Sequence, residues 1–456
     1  MNNLILKILS LIWILIQWGL SNSNSVMIFQ LFTLFLGIFI INVITKNICH
    51  KKTVKTVFLI SFLVLNIFTT IRWLGIECDF NTFADENNDN YKFWLATNNL
   101  NEISISKIYK ECIIDNIYLE NGGYFFYIRM LGYLAESYFD GNHILLQQLG
   151  TAFPSVLSSI FLYFLSFYIC NDYKQSYNYA CTYILLTPLI TISTGITRDA
   201  IIAFFYLLLI YLWFTKELSL KVVVVELLIM LILMSFRMQH GLFASAFIVM
   251  TIITSNSSNR WLYYLALLVL VINIGLLIYS FMINHLADTI DYYIAYRADE
   301  LEGLNSGIGR YVYALPTPIK ELAQILFLQL QFPPWYDLIK STNVFYSICG
   351  VLNMVISFYW FYIFYSVIIN LYKFGYKQLP KKYLFAIIIF FIFILLNTSN
   401  LSLRRVVCIY PLLYLVYVYF RTSSFYCINY RHIKKQYLSI YLFLIVSYLG
   451  ASFVLG

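Results

Sequence analysis

The sequence predicts an all-α, polytopic integral membrane protein, and two observations carry that prediction. Hydrophobic residues make up 61% of the 456 and charged residues only 11%. Soluble domains hold roughly a quarter charged residues, so a water-solvated fold of this length has no way to hide so much apolar surface. Apolar runs of membrane-crossing length also recur from one end of the chain to the other. Together these predict one transmembrane domain over residues 1–456 rather than several soluble domains. They make lipid, not nucleic acid, the partner of the surface despite a formal charge of +8.

The expected spans are 4–21, 26–45, 56–76, 144–170, 177–196, 200–215, 222–236, 241–255, 261–284, 344–372, 383–397, 406–420 and 436–455, about 13 helices within a range of 11 to 14. The first is read as an uncleaved span: Lys7 precedes its apolar run and Ser21-Asn22-Ser23-Asn24-Ser25 follows, without an A-x-A-like cleavage site. The 40 Tyr and 39 Phe suit interfacial anchoring. No internal repeat or pair of similar halves, as in many transporters, is present.

Orientation follows from the basic residues of the short loops. Lys46, Lys51, Lys52 and Lys55 form one cluster, Lys373, Lys377, Lys381 and Lys382 a second, and Arg421, Arg431, Lys434 and Lys435 a third. Placing these inside puts the amino terminus in the cytoplasm, with about 17 basic and 3 acidic residues on that side. Two long loops, 77–142 and 285–343, then face outward, and loops of that size usually serve function. Within them Gly122–Phe139 and Ile319–Leu330 read as helices lying at the membrane surface. Cys78 and Cys112 share the first loop, where an oxidising compartment would allow a disulfide. The other cysteines fall mostly in apolar runs, and no Cys/His spacing fits zinc. The stretch Asp85-Glu86-Asn87-Asn88-Asp89 is a conceivable site for a hard cation, although its spacing is not that of an EF-hand.

Candidate chemistry gathers in short outer turns. Arg198-Asp199 separates two spans, Arg237 and His240 occupy Phe236-Arg237-Met238-Gln239-His240-Gly241, and Arg404-Arg405 opens a late span. Lys would supply charge equally well, yet every basic residue in these turns is Arg. A guanidinium fork pairs bidentately with phosphate and keeps its charge beside apolar groups. Arginines converging at the outer boundary are what a lipid-linked pyrophosphate needs. The bland alternative is that each one snorkels or pairs locally, as Arg198 with Asp199 and Arg297 with Asp299. The first loop adds Asp79, Asp85, Glu86, Asp89, Tyr91 and Glu120. Its carboxylates are either solvated loop residues or a general base for an acceptor hydroxyl, and His240 is the other candidate base. Glu226 is expected to pair with Lys221. No Walker, GxSxG or HExxH motif occurs, which removes the ATPase, serine-hydrolase and zinc-protease classes.

These motifs resemble the bacterial O-antigen polymerases (Wzy type) and the EpsG-like polysaccharide polymerases. The resemblance rests on Asp89-Asn90-Tyr91 followed by Glu120-Asn121-Gly122-Gly123-Tyr124-Phe125, then Ser193-Thr194-Gly195-Ile196-Thr197-Arg198-Asp199-Ala200, Phe236 to Gly241, and Arg404-Arg405. It implies a glycosyltransferase that polymerises undecaprenyl-pyrophosphate-linked repeat units on the outer face of the bacterial cytoplasmic membrane. Neither nucleotide sugar nor metal is then needed. The implied catalytic residues are Asp89, His240, Arg198 and Arg237. Arg310, Arg404, Arg405, Tyr91, Glu120, Tyr124 and Asp199 are the implied substrate contacts, and a chain-length regulator is a candidate partner. Two rival expectations share part of this pattern. One is a multi-span glycosyltransferase taking a single sugar from polyprenyl phosphate, with Asp79 or Asp85 at its centre. The other is a lipid-linked oligosaccharide flippase, which calls for charges at mid-membrane depth.

Overall fold

The computed structural model describes residues 3–46, 50–77, 89–100, 103–115, 121–255, 315–316, 318–330, 344–397, 403–423 and 430–455, with isolated positions between 261 and 275. Every regular element among them is helical. The helices are α1 (Asn3–Ser21), α2 (Asn24–Ile44), α3 (Lys51–Glu77), α4 (Asp89–Leu95), α5 (Ile105–Tyr109, continued by a π turn Lys110–Ile114), α6 (Gly122–Tyr138), α7 (Ile144–Cys170), α8 (Tyr173–Leu185) and α9 (Leu189–Ile192). They continue as α10 (Asp199–Thr215), α11 (Leu220–Phe236), α12 (Met238–Ile253), α13 (Ile319–Leu330), α14 (Val344–Phe374), α15 (Lys381–Asn397), α16 (Leu403–Val406), α17 (Tyr410–Thr422) and α18 (Tyr430–Leu455).

Among the described residues, five helices are long and apolar enough to cross a membrane: Asn3–Ser21, Asn24–Ile44, Lys51–Gly75, Ile144–Cys170 and Ser347–Phe374. Asp199–Thr215 and Met238–Ile253 are shorter apolar helices. The outer helices present bare apolar faces. Leu4, Ile5, Phe32, Phe35 and Phe39 are all at least half exposed, which in water would be a patch far larger than a soluble protein tolerates.

Two expected spans differ in detail. The run 177–196 is not one helix, because α8 stops at Leu185 and α9 begins only at Leu189. Pro188 is the cause: its ring disfavours helical backbone at the residue before it. The run 406–420 starts with a 3-10 turn, Val407–Ile409, ahead of α17, whose first turn carries Pro411. Proline is favoured there because its missing N–H would be unpaired anyway. The helix expected over Ile319–Leu330 is found with those bounds. Most of 261–284 and of the second long loop lies outside the described residues.

α17 is buried around its whole circumference from Tyr410 to Val418, the signature of a central helix. Tyr410 stacks on Trp360 of α14 with ring centroids 3.8 Å apart, and Tyr414 donates to the Tyr179 carbonyl of α8 at 2.7 Å. α7 also holds the centre, although Pro154 lies inside it. Proline cannot donate to the carbonyl four residues back, Gly150 O. That carbonyl instead accepts from Tyr127 Oη of α6 at 2.7 Å, so the lost helical bond becomes a tie between helices. Gln30 and Asn66 exchange two amide bonds of 3.1 Å between α2 and α3, and Gln17 of α1 donates to Thr70 Oγ1 at 2.8 Å. Such polar pairs fix the register of helices whose remaining contacts are apolar. Glu226 does not pair with Lys221; buried, it accepts from Thr251 Oγ1 of α12 at 2.7 Å, since its carboxyl faces the neighbouring helix.

The helix ends sort into two sets. Asn3, Lys52, Tyr173 and Lys174 line one groove at the starts of α1, α3 and α8. Near the other end of α3, Arg72 bonds the turn after α9. Lys52 and Arg72 are 20 residues apart on one helix, about 30 Å at 1.5 Å per residue.

Candidate functional site

Arg198 closes the turn between α9 and α10, and its neighbour Asp199 is the first residue of α10. Hydroxyls shape that turn: Thr194 Oγ1 donates to Thr191 O at 2.8 Å, Ser193 Oγ to Ile190 O at 3.2 Å, and Thr197 Oγ1 to Ile192 O at 3.3 Å. Each adds a hydrogen bond to a carbonyl of α9, where the helix ends and the regular backbone ladder stops. Arg237 sits in the single-residue break between α11 and α12 with extended backbone, φ −169°. Arg404 and Arg405 form the last turn of α16, above the 3-10 segment leading into the central α17. Asp89 opens α4, where a carboxylate complements the helix dipole.

These distant segments converge. Arg404 Nη2 lies 2.7 Å from Asp89 Oδ2, an ion pair spanning 315 residues of sequence. Arg198 donates to Asn121 Oδ1 at the start of α6. It also lies within electrostatic range of Arg237, Asp199, Asp89 and Arg404. Asp199 faces the same charges, and His240 faces Arg237, Arg198 and Arg405. Burial lowers the Arg198 pKa, with Arg237 adding to the effect and Asp199 and Asp89 opposing it; an arginine stays charged through such shifts. Among the described residues this end holds four guanidiniums, Arg198, Arg237, Arg404 and Arg405, and two carboxylates, Asp89 and Asp199. Arg237 makes no hydrogen bond or ion pair with a side chain among the described residues, which leaves its fork available.

The floor of the cluster is apolar and aromatic. Tyr124 is fully buried, its ring 4.7 Å from Phe93 and 6.2 Å from Phe236. Burial pushes its phenol well up, so it stays protonated. Gly123 allows the approach, because a Cβ there would overlap Ser235 Oγ at the end of α11.

Of the residues picked from sequence, Asp89, Arg198, Asp199, Arg237, His240, Arg404, Arg405 and Tyr124 come to this one end. Tyr91 is half-buried on α4, two residues from Asp89, and has no hydrogen bond or ring contact with a described residue. Glu120, Arg310, Arg297, Asp79, Asp85, Glu86 and Cys78 lie outside the described residues. Cys112 is a buried free thiol 3.6 Å from Arg129 Nη1, and burial raises its pKa. His240 is buried in the core side of the cluster, with Nδ1 3.2 Å from Tyr206 Oη and its ring stacked on Phe393. That placement suits holding the Arg237 turn better than meeting a hydroxyl from outside. Arg72 has no sequence signal of its own, since it sits inside an apolar run counted as a span, and Asn121 stands in the Glu120 to Phe125 motif without a role assigned to it.

No three His, Cys, Asp or Glu side chains are grouped to hold a metal ion among the described residues. No protein-family model, curated protein or solved structure matched the chain.

Proposed function

We propose that the chain is a polysaccharide polymerase of about 13 membrane spans. In this reading it joins undecaprenyl-pyrophosphate-linked repeat units at the outer face of the bacterial cytoplasmic membrane. The observation that carries the proposal is the convergence of Arg198, Arg237, Arg404 and Arg405 around Asp89 and Asp199 at one end of the helices. The spacing of about 30 Å between the groove at Lys52 and the bond at Arg72 matches a hydrocarbon core, which supports a site at the lipid–water boundary. The basic-residue asymmetry makes that boundary the outer one.

In this reading a hydroxyl of the incoming lipid-linked repeat attacks the anomeric carbon of the growing chain. The bond from that carbon to the pyrophosphate oxygen breaks, and the hydroxyl proton passes to the Asp89 carboxylate. Lipid pyrophosphate leaves as the anion. Arg198 and Arg237 hold its developing charge where water is partly excluded, so their effect is stronger than in solution. Arg404 and Arg405 bind the second pyrophosphate, with Asp199 fixing Arg198 from behind. The carriers enter sideways from the bilayer.

The test is surface-glycan chain length on gels. Deleting the gene is expected to leave single-repeat glycan only, and wild type restores the ladder. Arg198→Ala and Arg237→Ala restore it weakly, with turnover down roughly 10²–10³-fold, as for loss of one preorganised donor. A ladder that survives deletion but lacks one branch sugar means the single-sugar transferase. Loss of all surface glycan with lipid-linked units trapped inside means a transporter.

A further inference from the structure

Arg72 lies near the end of α3 and spends its guanidinium on protein. Nη1 donates to Thr191 O at 3.0 Å and to Thr194 Oγ1 at 3.2 Å, while Thr194 Oγ1 itself donates to Thr191 O. Both acceptors, Thr191 O and Thr194 Oγ1, belong to the junction seven and four residues before Arg198. Gly195 shares the junction. A Cβ built there would lie 3.1 Å from Asn90 Oδ1 and 3.2 Å from both Arg72 Cζ and Nη1. One glycine is therefore where three segments touch: the end of α3, the start of α4 beside Asp89, and the turn that ends in Arg198.

We infer that Arg72, seated against Gly195, is a positioning residue: it fixes the Arg198 turn against the Asp89 segment at the spacing an incoming pyrophosphate requires. The inference rests on the lipid-pyrophosphate reading. The turn's own hydroxyls tie it back to α9 only, so they hold its shape without setting its place. Arg72 supplies a rigid planar group that bridges two acceptors at once. A lysine would keep the charge on a flexible stem and lose that geometry. A methyl at 195 would press on Arg72 and Asn90 together by a few tenths of an ångström and part the two segments.

The experiment titrates inorganic pyrophosphate into the purified full-length chain in lipid nanodiscs, alongside thermal unfolding, for wild type, Arg72→Lys, Thr194→Val, Gly195→Ala and Asp140→Asn. Positioning predicts that Arg72→Lys and Gly195→Ala weaken pyrophosphate binding about tenfold in the folded protein. It further predicts that a double variant, Thr194→Val added to Arg72→Lys, weakens binding little beyond Arg72→Lys alone, because the Arg72–Thr194 bond is already lost. Asp140→Asn, which loses the amide bonds at the start of α2 and none of the bonds of this turn, should bind as wild type. If wild type binds pyrophosphate and the Arg72 and Gly195 variants bind equally well, Arg72 is only a structural staple and the inference falls. If wild type itself fails to bind, the lipid-pyrophosphate reading falls and the inference with it. Should Arg72→Lys not fold, Gly195→Ala and Thr194→Val decide the outcome.

Discussion

Asp89 and Arg404 are 39% and 38% exposed, so their 2.7 Å contact is a surface ion pair and holds the site closed by no more than about 1 kcal/mol. A pyrophosphate offers Arg404 charge-assisted bonds of about 1.5–3 kcal/mol each. In the proposed reaction the ligand therefore wins the arginine and frees the Asp89 carboxylate, which would then act both as a competitor for the anion and as the base for the hydroxyl. Asp89→Asn is expected to bind pyrophosphate up to about fivefold more tightly while polymerisation slows by roughly 10²-fold or more. Titration and turnover on the same preparation check this, and an affinity that falls together with turnover would contradict it. The arginines of the site were legible in the sequence because Arg replaces Lys in short turns that charge asymmetry disfavours. Their partners were not. The Asp89–Arg404 pair closes across 315 residues, and Arg72 hides within a run whose apolar character reads simply as a span.

Helix ends supply the next level of control. α2 begins at Asn24 after Ser23, a residue type suited to capping, yet Ser23 makes no cap bond. Asp140, from the link between α6 and α7, takes that role by accepting from the Asn24 amide and from the Ser25 amide at 2.9 Å. Desolvation alone would raise the Asp140 pKa, but these amides together outweigh it, and the carboxyl titrates below its ordinary range. A carboxyl depressed on folding contributes stability in full above its unfolded value, near 3.9, and loses it as pH falls through the folded value. The cap is worth about 1 kcal/mol. The gap in thermal midpoint between wild type and Asp140→Asn should therefore be constant near neutrality and shrink below about pH 4. A gap that widens on acidification would contradict the assignment. At this scale, hydrophobic runs placed α7, α10 and α13 within a residue or so, since length and apolar content determine them. The break at 186–188 needed the Thr187-Pro188 step to be weighed against an otherwise unbroken apolar run. The tertiary cap by Asp140 has no local signature at all.

Over the whole molecule, the two ends of the helices divide the labour. One end gathers lysines: Lys52 and Lys174 share a groove, and Lys382 Nζ caps α10 through the Trp213 and Phe214 carbonyls at 2.8 and 3.0 Å. The other gathers Arg198, Arg237, Arg404 and Asp89. In the proposed reading, arginines above an aromatic floor suit an anion on an apolar tail, and suit a soluble nucleotide sugar less. The most direct measurement uses the purified chain in nanodiscs with one synthetic repeat unit on undecaprenyl pyrophosphate, following product length and lipid released. Polymerisation predicts a ladder of glycans, one lipid pyrophosphate freed for each linkage formed, and loss of both with Arg198→Ala. Release of lipid monophosphate with addition of one sugar, or transfer of the intact lipid-linked unit across the bilayer without new linkages, would contradict it.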